Sequence, residues 1–126
     1  MTKSDSIISL TPPEEATTFG RNKIIYISGP MTNHLNYFAE FEAAEERLES
    51  KGFQPINPAK ILALLPSSVS YDQMMHICFA LINISDGIYM MHGWMNSKGA
   101  KMELAYAFQN NKIEMYEDTF GNQREY

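Results

Sequence analysis

Glu103 and the residues just before it are the part of this 126-residue chain best suited to chemistry. Residues 93–107 read GWMNSKGAKMELAYA. Ser97 is a residue type that caps helices, because its hydroxyl accepts a bond from a free amide of the first turn. Counting from that cap, Lys98, Gly99 and Ala100 form the first turn. Their unpaired N–H groups and the positive helix end suit a phosphate or an anionic hydroxyl. Glu103 follows about one turn further in, with Gly99 and Ala100 as its small i−4 and i−3 neighbours. A ligand can therefore lie against the backbone beside the carboxylate. That geometry suits a nucleophile or base acting on a bound small molecule. The competing description is a capped surface helix carrying a solvated glutamate. Against it, Ala100, Leu104, Ala107 and Phe108 form the apolar stripe, and Glu103 falls on the edge of that stripe rather than opposite it.

The rest of the chain must position this helix. Residues 23–28 contain the continuous β-prone run Ile24, Ile25, Tyr26 and Ile27, as expected of a central parallel strand. Gly29-Pro30 ends it, and the glycine permits a sharp turn or a close backbone approach. Residues of about 36–51 read as a helix with Phe38, Phe41, Ala44 and Leu48 inward, five glutamates on a solvated face and Gly52 after its end. Residues 53–56 read as a short strand, placed at a sheet edge because Pro55 lacks an amide donor. A brief helix through Leu64 follows, then a helix over about 71–83. The latter carries Tyr71, Met74, Met75, Cys78, Leu81 and Ile82 as a core stripe, with Cys78 as a small buried hydrophobe. Residues 88–91 and 112–116 complete the strands.

Alternation of this kind predicts an α/β fold: a single-domain, flavodoxin-like or Rossmann-like three-layer sandwich with a four- to five-stranded parallel sheet. The edge position of the second strand predicts the order 2-1-3-4. Ligands in such sheets bind outside the carboxyl ends of the strands at the switch point. The loops over 29–33 and 92–97 must meet there. The domain is expected over residues 23–126, behind a polar, flexible arm over residues 1–22 whose Ile7, Ile8 and Leu10 leave open whether it packs on the core or on a neighbour.

Composition narrows the function classes. Net charge is −5, which argues against a nucleic-acid-binding surface but not against a small anionic ligand. The single cysteine excludes an intrachain disulfide and fits a reducing compartment. His34, His76 and His92 are scattered, and no Cys/His spacing suits a metal, so neither metal nor cofactor is expected. No apolar run reaches transmembrane length and no signal peptide opens the chain, which reads as cytoplasmic.

Four segments together resemble a known group. Tyr26-Ile27-Ser28-Gly29-Pro30-Met31-Thr32, Ile56-Asn57-Pro58, Ser85-Asp86 and the run from Gly93 through Trp94, Asn96, Ser97 and Gly99 to Glu103 are similar to the nucleoside 2-deoxyribosyltransferase-like superfamily, most of all to its small branch common in bacteria and phages. The resemblance covers about residues 23–116. It implies N-glycosidic bond chemistry. Glu103 would attack C1′ of a deoxyribonucleoside or its 5′-monophosphate, the base would leave, and water or a second base would resolve the glycosyl-enzyme, giving bond cleavage or deoxyribosyl transfer. It further implies that Tyr26 orients the nucleophile and that Ser28, Gly29, Pro30 and Met31 line the sugar or base. Asn96, Ser97 and Gly99 would hold the sugar hydroxyl or 5′-phosphate, and Trp94 would stack on a base or wall the pocket.

Two departures matter. Many relatives carry an aspartate, in the helix before the third strand, that assists the leaving base. The matching residue here is Cys78, and a thiol with a reference pKa of about 8.5 is a poor substitute. Either assistance comes from elsewhere, from Asp86 or His76, or the protein binds a nucleotide without cleaving it. The second departure is Lys98 and Lys101, which would favour an anionic ligand, although exposed helix lysines are ordinary. The implied partners are a small nucleoside or nucleotide, with no nucleic-acid polymer and no membrane. A homo-oligomer is implied as well, in which a neighbour's C-terminal region, through Asn122 or Tyr126, reaches the pocket.

Overall fold

Four β-prone runs pair side by side in parallel to form one sheet. They are β1 (Ile24–Ser28), β2 (Gln54–Ile56), β3 (Gly87–Met90) and β4 (Ile113–Tyr116), in the order β2-β1-β3-β4. This computed structural model describes residues 22–118. The expected arm over 1–22 therefore lies outside the described residues except for Asn22, and the expected tail, with Asn122 and Tyr126, lies outside except for Glu117 and Asp118.

The order is the 2-1-3-4 arrangement expected from Pro55, which pairs with Ile25 on the edge strand. Its missing N–H points away from the ladder, the placement a strand proline tolerates. β1 lies between β2 and β3, with Ile27 opposite Tyr89 and Ser28 opposite Met90. Successive side chains of a strand face opposite sides, so β1 serves two cores. Ile25 and Ile27 pack with Phe41, Ala44 and Leu48 of α1 (Tyr37–Ser50) and with Ala59 of α2 (Pro58–Leu62). Tyr26 packs on the other side with Cys78 and Ile82 of α3 (Tyr71–Asn83) and with Ala100 and Ala107 of α4 (Lys98–Gln109). The result is the three-layer α/β sandwich of doubly wound type.

The helices begin where local chemistry places them. Asn57 caps α2 through its side-chain oxygen, which accepts from Ala59 N at 2.9 Å. Ser70 and Gln73 form a reciprocal capping box at the start of α3. Ser97 caps α4, accepting from Ala100 N at 3.1 Å, as its residue type predicted.

Two inward faces differ from expectation. Phe38 is 42% exposed, and Tyr37 takes the inward place, edge-on to Phe41 with ring centroids 6.4 Å apart. Tyr37, Phe41, Ala44 and Leu48 lie at i, i+4, i+7 and i+11, whereas Phe38 is rotated about 100° off that line. On α4 the buried residues are Ala100, Glu103 and Ala107, at i, i+3 and i+7, while Phe108 is 70% exposed. Glu103 thus sits at the centre of the buried face, not on its edge. No helix among the described residues is long and apolar enough to cross a membrane.

Candidate active site

The carboxyl end of β1 carries three features that converge on one cavity. The strand's period of two turns Tyr26 and Ser28 toward α4. The Tyr26 hydroxyl donates to Glu103 Oε2 at 2.9 Å, and the Ser28 hydroxyl donates to Glu103 Oε1 at 2.5 Å. Both carboxylate oxygens are therefore held, each by a hydroxyl from the same strand. Glu103 is only 7% exposed, and no Lys, Arg or His pairs with it among the described residues.

A buried carboxylate without a cation is held ionised only by its hydrogen bonds. Burial pushes the Glu103 carboxyl above its ordinary value, and the bonds from Ser28 and Tyr26 pull it back, with a smaller pull from Cys78. Tyr26 is pushed far above the usual phenol range by burial and by the charge of Glu103, so it remains a donor. Cys78, buried beside both, has its thiol pushed up to about 12, first by burial and then by the Glu103 charge. The thiol stays neutral and cannot act as a base.

A cavity of about 340 Å³ opens from this cluster. Its floor includes Glu103, Cys78, Gly99, Ala100 and Gly29. Its walls include Tyr37 and Phe41 of α1, Ala59 and Leu62 of α2, and Tyr71, Met74 and Met75 of α3. The outer half of the α3 stripe, read from the sequence as core, thus lines the cavity. Gly29 is required by close approach, since a Cβ there would meet Met91 at 2.8 Å from Sδ and 2.9 Å from Cβ. The loops after β1 and β3 do meet: Met91 N donates to Ser28 O at 2.8 Å, and a Cβ on Gly93 would lie 3.6 Å from Pro30. Gly93 itself turns the chain at φ 85°, a region that favours glycine.

Of the residues singled out in the sequence, Gly29, Met31, Ser97, Gly99 and Glu103 line the cavity, with Tyr26 and Ser28 directly behind Glu103. Others stand apart. Asp86 lies at the amino end of β3, where its carboxylate accepts from Ile24 N at 2.8 Å, at the opposite end of the sheet from Glu103. Trp94 packs against Tyr116, with ring centroids 5.9 Å apart, outside the cavity lining. Asn96 is exposed in a 3₁₀ turn (Trp94–Asn96), and Pro30 lies beside Gly93, outside the lining. His76, Lys98 and Lys101 are exposed and outside the lining. Among the described residues no group of three or more His, Cys, Asp or Glu is placed to hold a metal ion. Tyr37 and Tyr71 were missed as site residues. For Tyr37 the signal available was its place as first residue of the helix that follows the carboxyl end of β1, whereas Tyr71 opens α3, which follows α2 rather than a strand, and gave no such signal.

Residues 23–116 match the family described as a domain of unknown function, DUF4406. The chain belongs to that family. Among solved structures it is similar to a 2-desoxiribosyltransferase from Leishmania mexicana, with 21% sequence identity and a TM-score of 0.58. The similarity covers 75% of this chain and 63% of that one, so the DUF4406 protein spans less than two-thirds of that enzyme's length. The fold is thus of the nucleoside 2-deoxyribosyltransferase-like type, as the sequence motifs implied. No curated protein matches the chain.

Proposed function

We propose that this protein cleaves, or transfers a glycosyl group across, the N-glycosidic bond of a nucleoside or nucleotide, with Glu103 as nucleophile. The observation that carries the reading is the buried Glu103 carboxylate, gripped by Tyr26 and Ser28 and opening onto a small cavity. Its volume of about 340 Å³ falls at the low end of the roughly 300–1,000 Å³ typical of small-molecule sites, and suits one nucleoside-sized ligand. The likeness to a deoxyribosyltransferase fold adds support.

In this reading one Glu103 oxygen attacks C1′. The bond from C1′ to the base nitrogen breaks, and its electron pair leaves with the base, which takes a proton from water. Water or a second base then attacks C1′ and frees the carboxylate. Tyr26 and Ser28 hold the carboxylate in line. They compensate its charge without the full neutralisation a cation would impose, which would blunt its nucleophilicity. Ser97, Gly99 and the free amides of the first turn of α4 would hold a sugar oxygen or phosphate, and Gly29 and Met31 would bound the sugar. Asp86, Trp94, Asn96 and Pro30 have no part in the reading, because none lines the cavity.

A second reading has its own observation. The group beside Glu103 is the neutral thiol of Cys78, and Glu103 is the one carboxylate in the lining among the described residues. A pocket without a second acid would capture a nucleotide without releasing its base. Incubation with ribo- and deoxynucleosides and their 5′-monophosphates, with and without an acceptor base, separates the two by chromatography. Base release or exchange that disappears in Glu103→Gln supports the enzyme. Tight binding with no release from any panel member supports capture, and release that survives the substitution removes Glu103 as nucleophile.

A further inference from the structure

The tyrosine hydroxyls among the described residues fall into two groups. Those of Tyr26, Tyr106 and Tyr116 donate to Glu103, Asn83 and Glu114 at 2.9, 2.8 and 2.8 Å. Tyr89 is engaged with Arg47. The hydroxyls of Tyr37 and Tyr71 have no protein partner among the described residues, and these are the two tyrosines whose side chains line the cavity. They reach it from opposite layers of the sandwich. Tyr37 opens α1, packed on one sheet face, and Tyr71 opens α3, packed on the other.

A phenol hydroxyl in this position has water for a partner until a ligand expels it. Losing that water without replacement costs the desolvation of the group. A ligand that fills the cavity therefore gains most by presenting a hydrogen-bonding atom to each phenol. Other polar side-chain groups facing the cavity are few. Ser97 Oγ accepts from Ala100 N and keeps its proton to donate, and each Glu103 oxygen already accepts one bond, from Tyr26 or Ser28. Thr32 is exposed at the rim. The remaining wall is largely apolar, including Phe41, Leu62, Met74 and Met75.

The place of the Tyr71 hydroxyl is tightly bounded. A Cβ built on Gly99 would lie 3.1 Å from it, so Gly99 leaves the room that the hydroxyl occupies above the first turn of α4. Gly99 is the i−4 neighbour of Glu103, on the same helix face. The Tyr71 hydroxyl thus stands over the helix turn that the N-glycosidic reading assigns to the sugar oxygen or phosphate. Tyr37, with Phe41 edge-on beside it, faces the ligand from the other layer.

We propose that Tyr37 and Tyr71 are substrate-binding residues that clamp one N-glycoside between the two layers, Tyr71 bonding an oxygen of its glycosyl part and Tyr37 a polar atom of its base. The clamp rests on the N-glycosidic reading of Glu103. It is a binding device rather than a chemical one, because neither phenol touches the bond that breaks.

The test uses Tyr37→Phe and Tyr71→Phe in the full chain, alone and in the Glu103→Gln background, with the same nucleosides and 5′-monophosphates as probes. Each substitution keeps the ring and removes one unpaired hydroxyl, so the thermal midpoint should stay within about 2 °C of the parent. A neutral hydrogen bond lost from the complex weakens binding roughly 3- to 10-fold. Calorimetric dissociation constants in the Glu103→Gln background should rise by that factor for each variant. KM in the catalytically intact background should rise by more than kcat falls. Tyr71→Phe should weaken all bound nucleosides alike, whereas Tyr37→Phe should alter preference among bases. If both variants bind every probe within twofold of the parent, the clamp is overturned and the role of Glu103 stands. If the parent neither binds nor cleaves any member of the panel, the N-glycosidic reading fails, and the clamp fails with it.

Discussion

Two carboxylates grip β1 from opposite ends, and their fates differ. At the amino end Asp86 accepts from the backbone N–H of Ile24 at 2.8 Å while remaining exposed. At the carboxyl end Glu103 accepts from the side chains of Tyr26 and Ser28 and is 7% exposed. Asp86 satisfies the first amide of a strand and lies in the parallel ladder, with its own N–H donating to Ile24 O at 2.7 Å. It is a piece of the scaffold. Glu103 accepts from two side-chain hydroxyls of β1 rather than from a backbone amide, and its burial pushes its pKa up. A group kept at a cost to stability, facing a cavity, is a functional candidate. Position at one or the other end of the parallel sheet, more than residue type, separates a structural acid from a candidate reactive one.

The sharpest way to break this contrast is to remove each acid in turn. Glu103→Gln should lower base release by at least about 10³-fold, the scale expected for loss of a covalent nucleophile, while nucleotide binding persists. Asp86→Ala should leave kcat/KM within about twofold. A large loss of rate in Asp86→Ala with Glu103→Gln still active would reverse the assignment.

The two donors to Glu103 provide the next test. The proposed reaction requires the ionised carboxylate, so the rate should fall as pH drops through a value above the ordinary carboxylate range, because burial raises the Glu103 pKa. Ser28→Ala removes a donor that lowers that pKa, so it should move the acid limb to still higher pH and reduce the rate at pH 6 by roughly 10-fold. Tyr26→Phe should act in the same direction with a smaller effect, as the order of the two bonds' contributions implies. Unchanged pH–rate profiles in both variants would show that these hydroxyls do not tune the nucleophile.

The smaller effects are on stability. Asp86→Ala should cost about 1 kcal/mol in urea unfolding, through the lost bond to Ile24 N. Glu103→Gln should do the reverse. The folded-state pKa of Glu103 lies above its ordinary 4.5, so between the two values the folded state holds more protons than the unfolded one. Wild-type stability from this group therefore falls as pH rises through that window, and the whole penalty is present above it. Glutamine carries no such penalty, so the variant should unfold at higher urea than wild type at pH 8, with the gap closing toward pH 4. A gap that widens on acidification would contradict a raised Glu103 pKa.

Much of the scaffold was legible along the chain because its signals are local. The Ile24–Ile27 run marked a strand buried on both faces, Pro55 marked an edge, Ser97 marked a cap, and their succession set the sheet order. The candidate nucleophile was legible too, from a glutamate one turn behind a capped, small-residue helix start. Tertiary packing decided the rest. The rotation of α4 on Tyr26 put Glu103 at the centre of the buried face and left Phe108 outside, although a helical wheel admits either stripe. The same docking joined Tyr26 and Ser28 to the two carboxylate oxygens, a pairing across 77 and 75 residues that no local pattern encodes. It also sent Asp86 to the far end of the sheet, set Trp94 on Tyr116 and turned Tyr71 from core stripe to cavity wall. Periodicity reports which side of an element is apolar. What that side meets depends on how far along and about its axis the element is docked, and the packing of the whole core sets that.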